Sequence, residues 1–144
     1  MTIKNWVTYH YGLAVKYNKT TSGYQCVDLA KSFLAETDTV AKGGIYKKYP
    51  ELAKSWAWGN AKDWYLKPNA YTKAIFDFLP PETEPKLGDL IVFKSGQYGH
   101  IAVALGFNDS GDVLTIDQNY SGKAAAAIYK HSRANITGIL RAKR

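Results

Sequence analysis

The stretch Ser22-Gly-Tyr-Gln-Cys-Val-Asp-Leu-Ala-Lys-Ser-Phe-Leu-Ala35 contains Cys26, the only cysteine of the chain. Ser22, with Gln25 three residues later, matches a capping box and predicts a helix that begins just before the cysteine and ends near Glu36. Within it the apolar side chains recur with the spacing of an amphipathic helix, at Cys26, Leu29, Ala30, Phe33 and Leu34. The thiol is therefore expected in the first turn, on the stripe that faces the core.

A thiol at this position has two interpretations. The first turn of a helix carries partial positive charge, which favours thiolate over thiol and suits a nucleophile. A lone cysteine is, however, more commonly a small buried hydrophobic residue. The helix alone does not decide between them.

A cysteine nucleophile also needs an imidazole that takes or shares its proton. The chain has three histidines, His10, His100 and His131. Strand alternation from His100 to Phe107 puts His100 on one face with small residues only, Ala102, Ala104 and Gly106.

A helix can approach a face of small residues closely, so we expect the Cys26 helix to pack there and bring the thiol to His100. The alternative is a strand-end histidine that is hydrogen-bonded to a turn. His10 and His131 lack this setting and are interpreted as surface or core residues.

The imidazole in turn needs a partner for its second nitrogen. Val113 to Asn119 is predicted as the next strand, and Asp117 and Asn119, two residues apart, share one of its faces. Either side chain can accept the imidazole N–H. Asp-Gln-Asn is also ordinary chemistry for a strand that ends in a turn.

Five short motifs together resemble the CHAP domain, the cysteine, histidine-dependent amidohydrolases and peptidases that are common in phage endolysins. Each motif is weak alone, but their number and order make the resemblance specific. It runs from about residue 24 to Asn119. The motifs are Gly23-Tyr-Gln-Cys-Val-Asp28, Trp58-Gly-Asn-Ala-Lys-Asp-Trp64, Gly88-Asp-Leu-Ile-Val-Phe93, Gly99-His-Ile-Ala-Val103 and Asp117-Gln-Asn119.

The resemblance implies a papain-like, NlpC-like fold and a role for each matched residue. Cys26 would be the nucleophile and His100 the general base. Asp117 would orient His100, standing where the family usually has Glu, and Asn119 would be an accessory polar residue. Gln25 would help to form the oxyanion hole, a role that competes with its place in the capping box. We prefer the family's placement.

Many CHAP domains bind calcium through acidic residues just before the cysteine. Here residues 17–23 contain no carboxylate, and Asp28 alone lies close by. Because calcium needs several hard oxygen ligands, we expect no metal site and no cofactor.

The resemblance further implies that the substrate is bacterial peptidoglycan and that an amide bond is cut. Three tryptophans, Trp56, Trp58 and Trp64, suggest core packing combined with the walls of a narrow peptide channel, which favours an endopeptidase over an N-acetylmuramoyl-L-alanine amidase. The residues expected to bind substrate are Tyr24, Trp58, Trp64 and Tyr98. The other hypotheses are a non-catalytic wall- or polyanion-binding module, and an enzyme that acts on small thiol–polyamine or protein amides.

Composition sets the remaining expectations. The chain has 144 residues, a net charge of +7 and a pI near 9.4, so it is predicted to be a single domain, residues 1–144, attracted to polyanions such as anionic wall polymers. Basic runs are absent apart from residues 141–144, which argues against nucleic acid as a partner. The sequence shows no signal peptide and no apolar run long enough for membrane insertion. We expect a monomer that is made in the host cytoplasm and has no separate wall-binding domain. The resemblance to CHAP domains implies that a phage holin would release it onto the wall.

Helical patterns precede strand patterns along the chain. Short helices are expected after Thr2 and from Asn60, and a short helix or turn over Tyr71–Phe78, with loops over Asp38–Pro50 and Leu79–Lys86. This order predicts an α+β fold in which N-terminal helices pack on an antiparallel sheet. The five predicted strands are Leu90–Lys94, His100–Phe107, Val113–Asn119, Ala125–His131 and Ile136–Ala142.

Overall fold

The computed structural model describes residues 1–16, 25–53, 59–120 and 124–143. Its centre is one six-stranded antiparallel sheet with the strand order β1-β6-β2-β3-β4-β5. Helices precede nearly all of the sheet in sequence, so the α+β class predicted above is confirmed. The strands are β1 Phe76–Leu79, β2 Leu90–Phe93, β3 His100–Phe107, β4 Val113–Asp117, β5 Ala127–His131 and β6 Ile136–Ala142.

Five α-helices and two 3-10 helices complete the described part of the chain. The first helix is capped by Thr2, whose hydroxyl accepts a hydrogen bond from the Asn5 N–H at 3.2 Å, as predicted. The α-helices are α1 Ile3–His10, α2 Cys26–Glu36, α3 Ile45–Lys48, α4 Asp63–Leu66 and α5 Ala70–Ile75; the 3-10 helices are Pro50–Ala53 and Arg133–Asn135.

Helix α2 has the predicted end but a different N-cap. It begins at Cys26 with Gln25 as N-cap, so the assignment of that role to Ser22, which lies outside the described residues, was wrong. Asp28 in the first turn accepts a hydrogen bond from the Gln25 backbone N–H at 3.0 Å. This bond satisfies an N–H at the start of the helix and fixes the chain where it enters Cys26.

The sequence pattern predicted one buried stripe on α2, but every residue from Val27 to Leu34 is buried. The set includes Lys31, whose pKa is lowered because burial disfavours its charge, although the carboxylate of Asp28 opposes this. The helix is thus surrounded by protein, which makes it a rigid support for the thiol at its first position.

The face on which α2 packs differs from the prediction. The apolar cluster that contains Leu29 and Phe33 of α2 also contains Ile101 and Val103 of β3, whereas Ala102 belongs to a second cluster, on the other face of the sheet. Large apolar side chains give the helix more buried area than alanines do, and that gain decides the face. Cys26 therefore reaches His100 from the N-terminal end of its helix and not across a face of small residues.

Three other boundaries are corrected. The expected loop Asp38–Pro50 contains α3, and the helix expected from Asn60 begins at Asp63. The segment Tyr71–Phe78 leaves its helix after Ile75 and continues as β1, which pairs with β6 as a sixth strand. Among the described residues, none of the helices is long and apolar enough to cross a membrane.

Candidate active site

Two adjacent antiparallel strands bring a histidine and a carboxylate together. His100 is the first residue of β3 and Asp117 is the last residue of β4. Because antiparallel neighbours run in opposite directions, the start of one strand lies beside the end of the other. The His100 Nε2–H donates a hydrogen bond to Asp117 Oδ2 at 2.7 Å, and the Asp117 side chain is fully buried.

The Cys26 thiol is the second hydrogen-bond partner of the His100 side chain. Because Nε2 is bonded to Asp117, Nδ1 is the ring nitrogen that is left for the thiol. Burial lowers the pKa of His100, but the hydrogen bonds to Asp117 and Cys26 and the negative charges of these groups outweigh it and raise the pKa to about 9. The sequence prediction that Cys26, His100 and Asp117 lie together agrees with this geometry.

Asp117 receives more hydrogen bonds than the sequence suggested. Its Oδ2 also accepts a bond from His131 Nε2 at 2.7 Å, and its Oδ1 accepts one from the Thr115 hydroxyl. Burial alone would raise the pKa of this carboxyl, but the bonds from His100, His131 and Thr115 hold the pKa below its ordinary value. The group is therefore an anion in the neutral range, as a partner of an imidazolium must be.

A second polar set holds the start of α2. Asn119 donates its side-chain N–H to Gln25 Oε1 at 3.2 Å, so the two residues assigned accessory roles contact each other. Buried Gln118 donates to the backbone oxygens of Val15, at 2.6 Å, and of Gln25, at 2.9 Å, and accepts from the Val15 N–H. One side chain thereby fixes both ends of the segment 17–24, which lies outside the described residues.

An open cleft of about 660 Å³ leads to the thiol and the imidazole. Tyr98, predicted to bind substrate, lies on its wall with 57% of its surface exposed. The ring of Tyr120 lies over His100 with 5.2 Å between the ring centroids. The cleft is lined by Gln25, Cys26, Val27, Gly59, Asn60, Ala61, Ser95, Tyr98, Gly99, His100, Asn119 and Tyr120.

Gly99 sets the distance between two walls of the cleft. Its φ of +75° is in the left-handed region, and a Cβ there would lie 2.8 Å from the Cβ of Lys62. The Lys62 N–H donates to the Tyr98 carbonyl at 3.0 Å, so the backbones touch just before His100. Only glycine combines this φ with so close an approach.

The tryptophan prediction is corrected. Trp64 has no exposed surface and belongs to the main apolar core, so it cannot contact a substrate as predicted. Its spacing in an aromatic-rich segment fits a core residue equally well, and burial of its large apolar ring outweighs exposure. Tyr24, Trp56 and Trp58 fall outside the described residues, as does the segment 17–23 considered for calcium.

One group of side chains in the described part of the chain has the composition of a metal site. The side-chain ligand atoms of His100, Asp117 and His131 lie within 4.8 Å of one another. Both imidazole Nε2 atoms already donate to the same carboxylate oxygen, and a cation would have to replace these bonds and immobilise His100. The set fits a hydrogen-bond network better than a metal centre.

Sequence reasoning missed four contributors to this site: Thr115, Gln118, Tyr120 and His131. Alternation along β4 could have identified Thr115, which is two residues from Asp117 and therefore on the same face. The sequence around His131 did not indicate its role, because its contact with Asp117 depends on the pairing of β5 with β4.

Comparisons with known proteins agree with this geometry. A family model described as "CHAP domain" matches residues 15–119. The staphylococcal secretory antigen SsaA of Staphylococcus aureus strain NCTC 8325 / PS 47 is 32% identical over 81 residues, which are 56% of this chain and 29% of SsaA. The chain thus matches less than a third of the length of this curated relative.

Two solved structures have the same fold. The endolysin LysIME-EF1 superimposes with a TM-score of 0.69 and 21% identity, over 98% of this chain and 64% of that one. Ly7917 superimposes with a TM-score of 0.63 and 14% identity, over 99% of this chain and 63% of that one. The family model covers well over half of the chain and includes Cys26, His100 and Asp117. The protein belongs to the CHAP domain family.

Proposed function

We propose that this chain is a peptidoglycan hydrolase that cuts an amide bond of the bacterial cell wall with a cysteine nucleophile. The observation that carries the proposal is the position of His100, between the Cys26 thiol and the buried carboxylate of Asp117, at an open cleft. Membership of the CHAP family supports it. So does the solved crystal structure of Ly7917 with the hydrolyzing product of MDP, which has the same fold.

The proposed reaction uses each group in turn. Cys26 transfers its proton to His100 and attacks the carbonyl carbon, while Asp117 holds the imidazolium that forms. The Cys26 backbone N–H and the Gln25 side chain stabilise the oxyanion, with Asn119 holding Gln25. His100 then protonates the leaving amine, and water, activated by the same imidazole, hydrolyses the acyl-enzyme.

The geometry changes the argument about which amide bond is cut. The preference for an endopeptidase over an N-acetylmuramoyl-L-alanine amidase relied on tryptophan walls, and Trp64 is in the core. The aromatic rings at the described cleft are those of Tyr98 and Tyr120. Our proposal is therefore limited to an amide bond of peptidoglycan, and mass spectrometry of digested walls distinguishes the two activities by the new ends that they create.

The test is clearance of purified Staphylococcus aureus walls by the wild type and by Cys26→Ala. We expect wild-type clearance, and a loss on the order of 10⁶-fold or to the detection limit in the variant, because the nucleophile is gone. Thermal unfolding establishes that the variant is folded. Clearance by folded Cys26→Ala at a near wild-type rate would refute the proposal.

A sedimentation assay addresses the non-catalytic alternative. Wall binding by wild type and Cys26→Ala alike, with no clearance and no release of new amino groups by either, would identify a binding module. Cleavage of small thiol–polyamine amides without cleavage of walls would show that the same residues act on a different class of substrate.

A further inference from the structure

The carboxylate that orients His100 is shared with a second imidazole. His131, the last residue of β5, donates its Nε2–H to Asp117 Oδ2 at 2.7 Å, the same atom and the same distance as His100. Only 4% of the His131 side chain is exposed. A buried bond of this kind is strong, because the acceptor is charged and water does not compete for it.

Aromatic neighbours fix the His131 ring. Phe93 packs against it in a tilted arrangement, with 4.2 Å between the ring centroids and 30° between the planes. Tyr120 packs against it edge-on at 4.7 Å, and Tyr129 packs against Tyr120 in turn. His131 is thus packed between Phe93 of β2 and Tyr120, which Tyr129 of β5 supports.

This arrangement matters because the bond from His100 changes during a proton-transfer cycle. His100 alternates between imidazolium and imidazole, so the strength of its hydrogen bond to Asp117 changes during the cycle. The bonds from His131 and Thr115 are constant and keep both oxygens of the buried carboxylate in place. Without His131, Oδ2 would be positioned by His100 alone, the group that it has to orient.

We propose that His131 is a positioning residue for the Cys26–His100 pair, which acts by holding the Asp117 carboxylate in the rotamer that orients His100. The role rests on the proposed cysteine chemistry but is tested on the thiol itself, without a substrate. The titratable groups that face His131 among the described residues are Asp117, His100 and Tyr120.

The experiment compares His131→Phe, which keeps the aromatic packing but loses the donor, with His131→Gln, which keeps an N–H donor of similar reach. The matched control is His10→Phe, because His10 is also buried and bonded to a carboxylate, Glu36, but lies away from the cleft. The first readout is the iodoacetamide alkylation rate of Cys26 at about pH 6 relative to about pH 9, a range in which an ordinary thiol changes reactivity steeply.

We expect the wild type, His10→Phe and His131→Gln to share one ratio of alkylation rates between the two pH values, because His100 is oriented in the same way in all three. In His131→Phe the rate at low pH should fall about 10–100-fold, as expected for the loss of one hydrogen bond to a charged group. Wall clearance should fall by a similar factor in its maximal rate, with little change in the wall concentration needed for half that rate.

A wild-type alkylation profile in folded His131→Phe would overturn the proposal, whatever happens to clearance. If that variant does not fold, the alkylation profiles of His131→Gln and His131→Asn are compared instead, because the shorter amide of asparagine cannot reach Asp117. Equal profiles for these two variants would also overturn the proposal. Stoichiometric metal in the purified wild type that is lost in His131→Phe would show a ligand instead of a positioning residue. An altered alkylation profile, together with a wild type that clears no walls, would contradict the proposed function and leave this inference standing.

Discussion

All three histidines of the molecule are buried and paired with a carboxylate on another element: His100 and His131 share Asp117 at the candidate active site, whereas His10 lies away from it. His100 donates to Asp117 at 2.7 Å, and His10, at the end of α1, donates to Glu36, at the end of α2, at 3.0 Å. Both imidazoles are almost fully buried. The pairs differ in what surrounds the carboxylate and in what faces the other ring nitrogen.

At the first pair, His100 has the Cys26 thiol as a second partner, and Asp117 is fully buried. At the second pair, His10 Nδ1 is buried without a hydrogen-bond partner among the described residues, and 38% of the Glu36 side chain is exposed. Glu36 also accepts hydrogen bonds from Trp6, which ties α1 to α2, and from Ser32 of its own helix. A histidine–carboxylate pair is therefore not a catalytic signal by itself; the chemistry depends on the third group and on access.

Substitution of the carboxylates is expected to separate the two pairs most strongly in wall clearance. Asp117→Asn keeps the shape but removes the charge that supports an imidazolium, so wall clearance should fall by roughly 10²–10⁴-fold. Glu36→Gln makes the same change at the other pair and should leave clearance within the error of the assay. Equal losses in the two variants, at matched folded fractions, would mean that Asp117 has no special role.

The pH dependence of stability also follows from the pair formed by His100 and Asp117. The pKa of His100 is raised from 6.5 to about 9, so its protonated, paired form stabilises the fold fully below about pH 6.5, and this contribution disappears as the pH rises through about 9. Asp117 has a lowered pKa, so its contribution is present above its unfolded value of 3.8 and is lost as the pH falls through its folded value.

Clearance should accordingly decline on the alkaline side near pH 9, where His100 loses the proton that the leaving amine needs. In Asp117→Asn burial still lowers the pKa of His100 while the opposing charge is gone, so the alkaline limb of the residual activity should move to lower pH. A pH series of initial rates for both proteins measures this. An unchanged alkaline limb in the variant would show that another group controls it.

The sequence was most informative where the cause is local. The positions of α2, including its end at Glu36, and of strands β2, β3 and β4 follow from apolar spacing and turn residues, and all were predicted. A partner for His100 at the end of β4, Asp117 or Asn119, also follows, because consecutive antiparallel strands place the start of one beside the end of the other. The family motifs then assigned Cys26 to the same place.

What the sequence could not predict depends on contacts between distant segments. His131 reaches Asp117 only through the pairing of β5 with β4, and β1 is a strand because β6 offers it an open edge. The face of β3 that receives α2 was predicted wrongly because a small-residue face was judged by how closely a helix can approach. Burial of Ile101 and Val103 contributes more free energy.

Substitution of Gln118 is expected to have a smaller effect, and only on the His100–Asp117 site and not on the His10–Glu36 pair. Its side chain bonds Val15 and Gln25 on either side of the segment 17–24, next to the thiol and away from His10. Gln118→Ala leaves their backbone groups without these partners and should cost about 1–3 kcal/mol of stability, measured by chemical denaturation.

Clearance by folded Gln118→Ala should also fall, because Gln25 and the start of α2 lose an anchor. A loss of stability with fully retained clearance would show that Gln118 supports the fold without positioning the site. The matched control is Gln97→Ala, at an exposed residue of the β2–β3 connection, which should change neither property.

The smallest expected effect is on the stability of His10→Phe. The substitution removes the hydrogen bond to Glu36, worth about 0.5–1.5 kcal/mol, but Glu36 is partly exposed, so water and Ser32 still satisfy it. It also removes the buried Nδ1 that has no partner among the described residues, a polar atom whose desolvation costs free energy in the native state. Phenylalanine keeps the ring contact that His10 makes with Trp6 at 5.0 Å.

These two changes oppose each other, so the free energy of unfolding should stay within about 1 kcal/mol of wild type. The same substitution at His131 leaves a fully buried carboxylate with one donor fewer and no water to replace it, and should cost clearly more. Denaturation of the two variants side by side tests this, since the same phenylalanine ring replaces a buried, carboxylate-paired histidine at both positions. An equal loss at both positions would mean that aromatic packing, and not the carboxylate, determines the stability of both histidines.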